Sequence, residues 1–147
     1  MMHSKEFKTV FDEVAKINNF SKAFGGWYKE SPECIAILEL QKSNFGDYYK
    51  LNIKIFIQGL FDQNYSIDKD LIKYPLGHAN SNETLKYKEV FDFDKSMDDK
   101  IRKEKLEELF INHIVPFTGK ALSKAGIMKM HVEENLFLME NVKDQLF

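Results

Sequence analysis

Across residues 48–57 of the run LELQKSNFGDYYKLNIKIFI, Tyr49, Leu51, Ile53, Ile55 and Ile57 alternate with Tyr48, Lys50, Asn52, Lys54 and Phe56. Side chains of an extended chain point to opposite faces in turn, so this period of two predicts a strand with one apolar face. The stretch CIAILELQK before it reads as a second strand, and SNFGD between them has the Asn and Gly chemistry of a short hairpin loop. Two strands joined so tightly must run antiparallel, which constrains the chain away from a βαβ crossover. FGGWYKE reads as a further strand, with its glycines at a bulge or bend, and Pro32 in SPE presets the turn that follows. TLKYKEVFDF, where Phe91 and Phe93 alternate, is expected to be the fourth.

Helices flank these strands. Phe7, Val10, Phe11, Val14 and Ile17 fall on one arc of a helix over residues 4–17, with Ser4 as the expected N-cap. A second helix is expected over residues 96–114. Ser96 and Asp99 are placed as a capping box, and Leu106, Leu109, Phe110 and Ile114 form its apolar side. Pro116 is expected to end or kink it, and a short helix over 117–125 to stop at Gly126. The last twenty residues fit either a strand through Met128, Met130 and Val132 or a helix through Leu136, Met139 and Val142. Residues 62–83 carry little periodicity and read as a long connection with one helical turn near Ile67–Ile72. The sum is one α+β domain over residues 1–147: an antiparallel sheet of about four strands, packed on one face by helices in two layers. The Leu38/Leu40 and Leu51/Ile53/Ile55 faces are expected to meet those helices.

Charge and residue types exclude several functions. A net charge of −2, with Arg102 the one arginine among 21 basic residues, argues against nucleic acid as a partner. No apolar run approaches the roughly 18 residues that span a bilayer, and Cys34 has no second cysteine to pair with, so a cytoplasmic chain without a membrane role is expected. His3, His78, His113 and His131 are scattered without metal-ligand spacing, and the glycine pair in FGGW precedes a strand rather than a helix. Neither a metal nor a cofactor is expected. Asp92, Asp94, Asp98 and Asp99 read as helix-start electrostatics. His113 reads as a satisfied core histidine and Cys34 as a buried, inert thiol.

The candidate binding residues are polar or aromatic side chains set against the sheet. Asn52 is disfavoured in mid-strand, so its amide is expected to make a specific bond, with Glu39 or Gln41 its neighbour across the hairpin. Ser43 and Tyr48 are expected on that face, joined by Trp27 or Tyr28 from the preceding strand, and His78 lies in the long connection. Arg102 shares a helical stripe with Leu106, Leu109 and His113, so its guanidinium is expected to point toward the sheet. There it either covers the core edge and pairs with a carboxylate, or serves as an anion clamp.

The stretches NNFSKAFGGWYKE, ILELQKSNFGDYYKLNI and MDDKIRKEKLEELFINHIVPF together resemble the bacterial family called domain of unknown function 4304. The likeness spans about residues 5–120 and leaves the tail from Gly126 outside. Asn19 stands where that family tends to have glycine. The resemblance implies an α+β fold and assigns no activity. The favoured expectation is a non-catalytic binding module that uses the polar sheet face or the 62–83 loop, with a protein as the partner, an immunity-like role being one form. The alternative is a small enzyme with an anion-binding cleft between the sheet and the Arg102 helix. Oligomeric state is left open.

Overall fold

The computed structural model describes residues 1–147. Helix α1 (Ser4–Ile17) leads into five strands, β1 (Ser21–Ala23), β2 (Gly26–Glu30), β3 (Cys34–Lys42), β4 (Tyr49–Ile57) and β5 (Ala79–Asn82). They form a single antiparallel meander in the order β1-β2-β3-β4-β5. Helix α2 (Lys69–Lys73) lies in the β4–β5 connection. Helices α3 (Asp99–Leu109), α4 (Val115–Ala121), α5 (Lys124–Glu134) and α6 (Glu140–Leu146) follow the sheet. The fold is α+β.

The odd-numbered side chains of β4 are all buried and face α1, α3 and their neighbours. Phe7 and Phe11 of α1 meet Phe91 and Phe110, and Trp27 packs on Phe11 at 4.6 Å. Burying a side chain of this size stabilises by about 1.5–3 kcal/mol, so this layer holds most of the hydrophobic driving force. Ile17 lies outside it at 77% exposed, and Ala15 takes the place expected for it. The reason is the helix end: Asn19 adopts φ 70°, its N–H reaches Lys16 O, and Phe20 N–H reaches Ala15 O. This is a Schellman closure, whose left-handed residue is normally glycine and next most readily asparagine.

The opposite face is dry at one end. Lys54 and Phe56 are buried there, because residues 65–74 fold over Ile35, Ile37 and Phe56 and bring Leu71 and Ile72 onto them. Only the end carrying Gln41, Lys50 and Asn52 keeps the wet character that alternation predicts.

Several local expectations are corrected. FGGWYKE is strand only from Gly26, and its glycines mark a bend rather than a bulge: Phe24 (φ 50°) and Gly25 (φ 80°) make a two-residue hairpin turn between paired Ala23 and Gly26. The segment expected as a fourth strand is a 3₁₀ helix over Leu85–Phe91, touching the sheet by one bridge from Asp92 to Tyr48. Tyr87, Val90 and Phe91 are its buried residues, and that helical spacing overrides the Phe91/Phe93 alternation. Asp98, not Ser96, caps α3, accepting from Lys100 N and Ile101 N. His3 rather than Ser4 occupies the N-cap of α1.

Pro116 does not end the helix. A π turn over Phe110–Ile114 precedes it, at the place where a regular helix would drive the proline ring into a carbonyl four residues back. Gly126 opens α5 instead of stopping a helix. Its N–H donates to the capping Ser123 Oγ, and any Cβ there would stand 1.9 Å from Lys120 O. Residues 128–132 are helical.

Candidate functional site

The hairpin register sets Asn52 opposite Glu39 and diagonal to Gln41, and its amide reaches both. Asn52 Nδ2 donates to Gln41 Oε1 at 3.0 Å and to Glu39 Oε1 at 3.3 Å. Lys54 continues the row, its ammonium 2.9 Å from Glu39 Oε1. That ammonium also donates to Tyr74 O at 2.8 Å and to Ile72 O. The row of polar side chains therefore runs from solvent at Gln41 to a buried lysine, which pins the overlying 69–74 segment to the sheet.

The remaining candidates separate. Trp27 is buried on the helix-covered face, where its Nε1–H donates to Asp12 Oδ1 at 2.9 Å, so it does not join the polar face. Ser43 Oγ accepts from Phe45 N and shapes the β3–β4 loop. Tyr48 lines a cavity of about 760 Å³ with Lys50, Lys86, Lys88, Glu89, Asp92 and Lys95. That wall mixes both signs of charge, and Lys95 is already paired with Glu89 at 3.3 Å.

Arg102 is 3% exposed, and its guanidinium contacts main-chain acceptors rather than a carboxylate. Nη1 donates to Val90 O, Asp92 O and Glu89 O at 2.7–3.3 Å, and Nη2 to Lys95 O at 3.4 Å. Its plane lies 4.4 Å over the Phe93 ring. The group closes the carbonyl end of the 3₁₀ helix and offers no clamp to a ligand. Ser81 Oγ and His113 Nε2 stand 2.8 Å apart, the distance of a nucleophile and its base, yet neither lines the two larger cavities. Cys34 is buried, and burial pushes its thiol up to about 11. No three His, Cys, Asp or Glu side chains lie close enough together to hold a metal ion.

His78 lies where the long connection folds back on β4 and builds a concavity. After β4 the chain turns at Gly59 (φ 81°) into a short 3₁₀ turn over Leu60–Asp62. The Gln58 side chain then clamps Tyr65, donating to its carbonyl at 2.8 Å and accepting from its N–H at 2.6 Å. Asp68 caps α2 through Leu71 N, and Tyr74 is extended ahead of Pro75. Asn80 closes a ring with Gly77 through two hydrogen bonds, which delivers His78 beside β4.

Ile57 N–H donates to His78 Nδ1 at 2.9 Å, so the neutral ring keeps its proton on Nε2, 3.3 Å from Tyr65 Oη. Burial holds the His78 pKa below the usual histidine value. Burial, with Tyr74 close by, raises that of Tyr65.

The result is a groove of about 690 Å³ between residues 56–78 and α6. Five rings surround it. Phe56 touches Tyr65, Tyr74 and His78, and His78 touches Phe61 and Tyr65, at centroid separations of 5.4–6.3 Å and tilts of 41–71°. Leu76 and Met139 extend the wall, and none of its thirteen residues is Lys, Arg, Asp or Glu. Phe61 and Asp62 both take positive φ, 55° and 59°, which holds the Phe61 ring 39% exposed at the mouth.

Of these residues the sequence singles out only His78. The available signal is the density of aromatics over residues 56–78, in a stretch without periodicity to bury them.

A family model described as Domain of unknown function (DUF4304) matches residues 11–120. The match includes every groove residue from β4 through His78 and excludes Met139 and α6. No curated protein and no solved structure matches the chain.

Proposed function

The chain belongs to the DUF4304 family, whose description assigns no activity, and we propose that it is a non-catalytic binding module holding a protein partner at the groove between residues 56–78 and α6. One observation carries this reading. In a chain of which 30% is charged, a wall of thirteen residues has no Lys, Arg, Asp or Glu and displays Phe61, Tyr74, Leu76 and Met139 to solvent. Depletion of charge with enrichment of aromatics and methionine is the composition of an interface centre, and exposed apolar patches of this kind mark interaction sites. The polar rim is supplied by Gln63 and Asn141. An immunity-like role, in which this surface masks a partner, is one form of such a module. A reducing bacterial cytoplasm suits its lone buried thiol.

The test compares the parent with Leu76→Asp and Tyr74→Asp, both at exposed positions, and with Gln41→Ala on the polar sheet face. A partner recovered with the parent and with Gln41→Ala should be lost with both aspartate variants while their unfolding curves stay unchanged. Retention with the aspartate variants and loss with Gln41→Ala would move the binding place to the sheet.

A further inference from the structure

Five of the chain's own cations sit over four aromatic rings: Lys8 and Lys42 on Tyr49, Lys29 on Phe20, Lys86 on Tyr87 and Arg102 on Phe93. The groove gathers two exposed rings, Phe61 and Tyr74, and two half-buried ones, Tyr65 and His78, over the buried Phe56, and no lysine or arginine of the chain lies over any of them. The rings stand at 66–71° to one another along the groove. A π face carries negative quadrupole density and attracts a cation placed over it. His78 does not oppose this, because its Nδ1 is taken by Ile57 N–H and the ring is neutral. Lys54, which reaches the segment from beneath, is paired with Glu39.

Resting on the binding-module reading above, we infer that the group entering this groove is a trimethylammonium carried by the partner protein, that of a methylated lysine. Methylation matters for a physical reason. A primary ammonium has three N–H groups that need acceptors when water is removed, and the wall offers no carboxylate to receive them. A trimethylammonium keeps the charge, has no N–H to satisfy, and presents methyl groups that pack on rings. The left-handed backbone at Phe61 and Asp62 fits this use. An unfavourable conformation is spent on holding one ring out over the mouth, where it completes the enclosure beside His78.

The experiment titrates the full chain with one short peptide in three forms, carrying trimethyllysine, lysine, or the neutral isostere in which a tert-butyl group replaces trimethylammonium, and with choline as the free cation. Binding is read by calorimetry and by shifts of the ring resonances. The trimethyllysine peptide is expected to bind about tenfold or more tighter than the isostere and the lysine peptide. Phe61→Leu, which keeps an apolar side chain but removes the ring, should lower that preference several-fold without changing the fold. Equal binding of the isostere would overturn the cation assignment and leave the groove an apolar docking place. Choline binding as tightly as the trimethyllysine peptide would overturn the protein source. Absence of binding by every probe would also overturn the inference, while the aspartate variants described above continue to test the module itself.

Discussion

At Phe61 the backbone takes φ 55°, a region that costs a residue with a Cβ about 1–2 kcal/mol and that asparagine tolerates better. Phe61→Asn is therefore expected to leave stability unchanged or slightly raised, although it deletes a ring. Phe56, 2% exposed at the base of the same cluster, is the contrast: Phe56→Ala should cost about 3–5 kcal/mol. Urea unfolding of the two variants checks the pair, and a large loss at Phe61 would refute the strain argument. His78 and His113 carry a second residue-scale prediction. Burial lowers both pKa values, outweighing for His113 a hydrogen bond with the Asn82 backbone. Below the usual 6.5 the unfolded chain takes up protons that the folded chain still refuses, so the unfolded state binds more of them. Stability must then fall as pH drops through that value and level off below the folded pKa values. Urea melts from pH 7.5 to pH 5 should show the decline, and His78→Gln, which keeps an acceptor for Ile57 N–H, should make it shallower.

Among the elements, the 69–74 segment depends on one side chain. Lys54 donates to Glu39, Ile72 O and Tyr74 O from a position 1% exposed. Lys54→Met would leave two carbonyls without their donor and a half-buried carboxylate with only the Asn52 amide, at a cost of about 2–4 kcal/mol. Amide exchange should accelerate across residues 69–78 more than in β3, and adding Glu39→Gln should recover part of the loss. Uniform acceleration over the whole sheet would show that Lys54 supports the fold at large rather than this segment. The register of β3 on β4 was legible because an apolar face and a short loop together leave one pairing that keeps Leu51, Ile53 and Ile55 dry. Strand β5 was not legible. Its residues, ANSN, have no apolar alternation and pair only because Gly77 and Asn80 turn the chain back along β4. The 3₁₀ helix over Leu85–Phe91 was hidden by the opposite difficulty, since Phe91 and Phe93 satisfy a period of two by chance while Tyr87 and Val90 satisfy the helical one.

For the whole molecule, the segment after the family-matched region is part of the core. Leu138 and Val142 are buried in the main cluster, and Gln145 Oε1 accepts from Phe61 N, tying α6 to the mouth of the groove. A chain ending at Glu134 should lose about 3–6 kcal/mol from those two side chains and lose the groove's far wall. Chemical unfolding beside the full chain measures this, and an unchanged midpoint would show that α6 only rests on the surface. No helix is long and apolar enough to cross a membrane. What the sequence determined by itself was whatever a repeat of two or of three to four residues can encode: the β3–β4 hairpin, α1, α3, and the dry face between them. Tertiary structure alone decided which side chains the remaining turns bring together. It turned Arg102 into a cap on carbonyls, sank Lys54 beneath a segment twenty residues away in the chain, and set Phe61 beside His78. Local period specifies the face a residue occupies. The partner waiting on that face is settled only by the path of the chain between elements, which no period records.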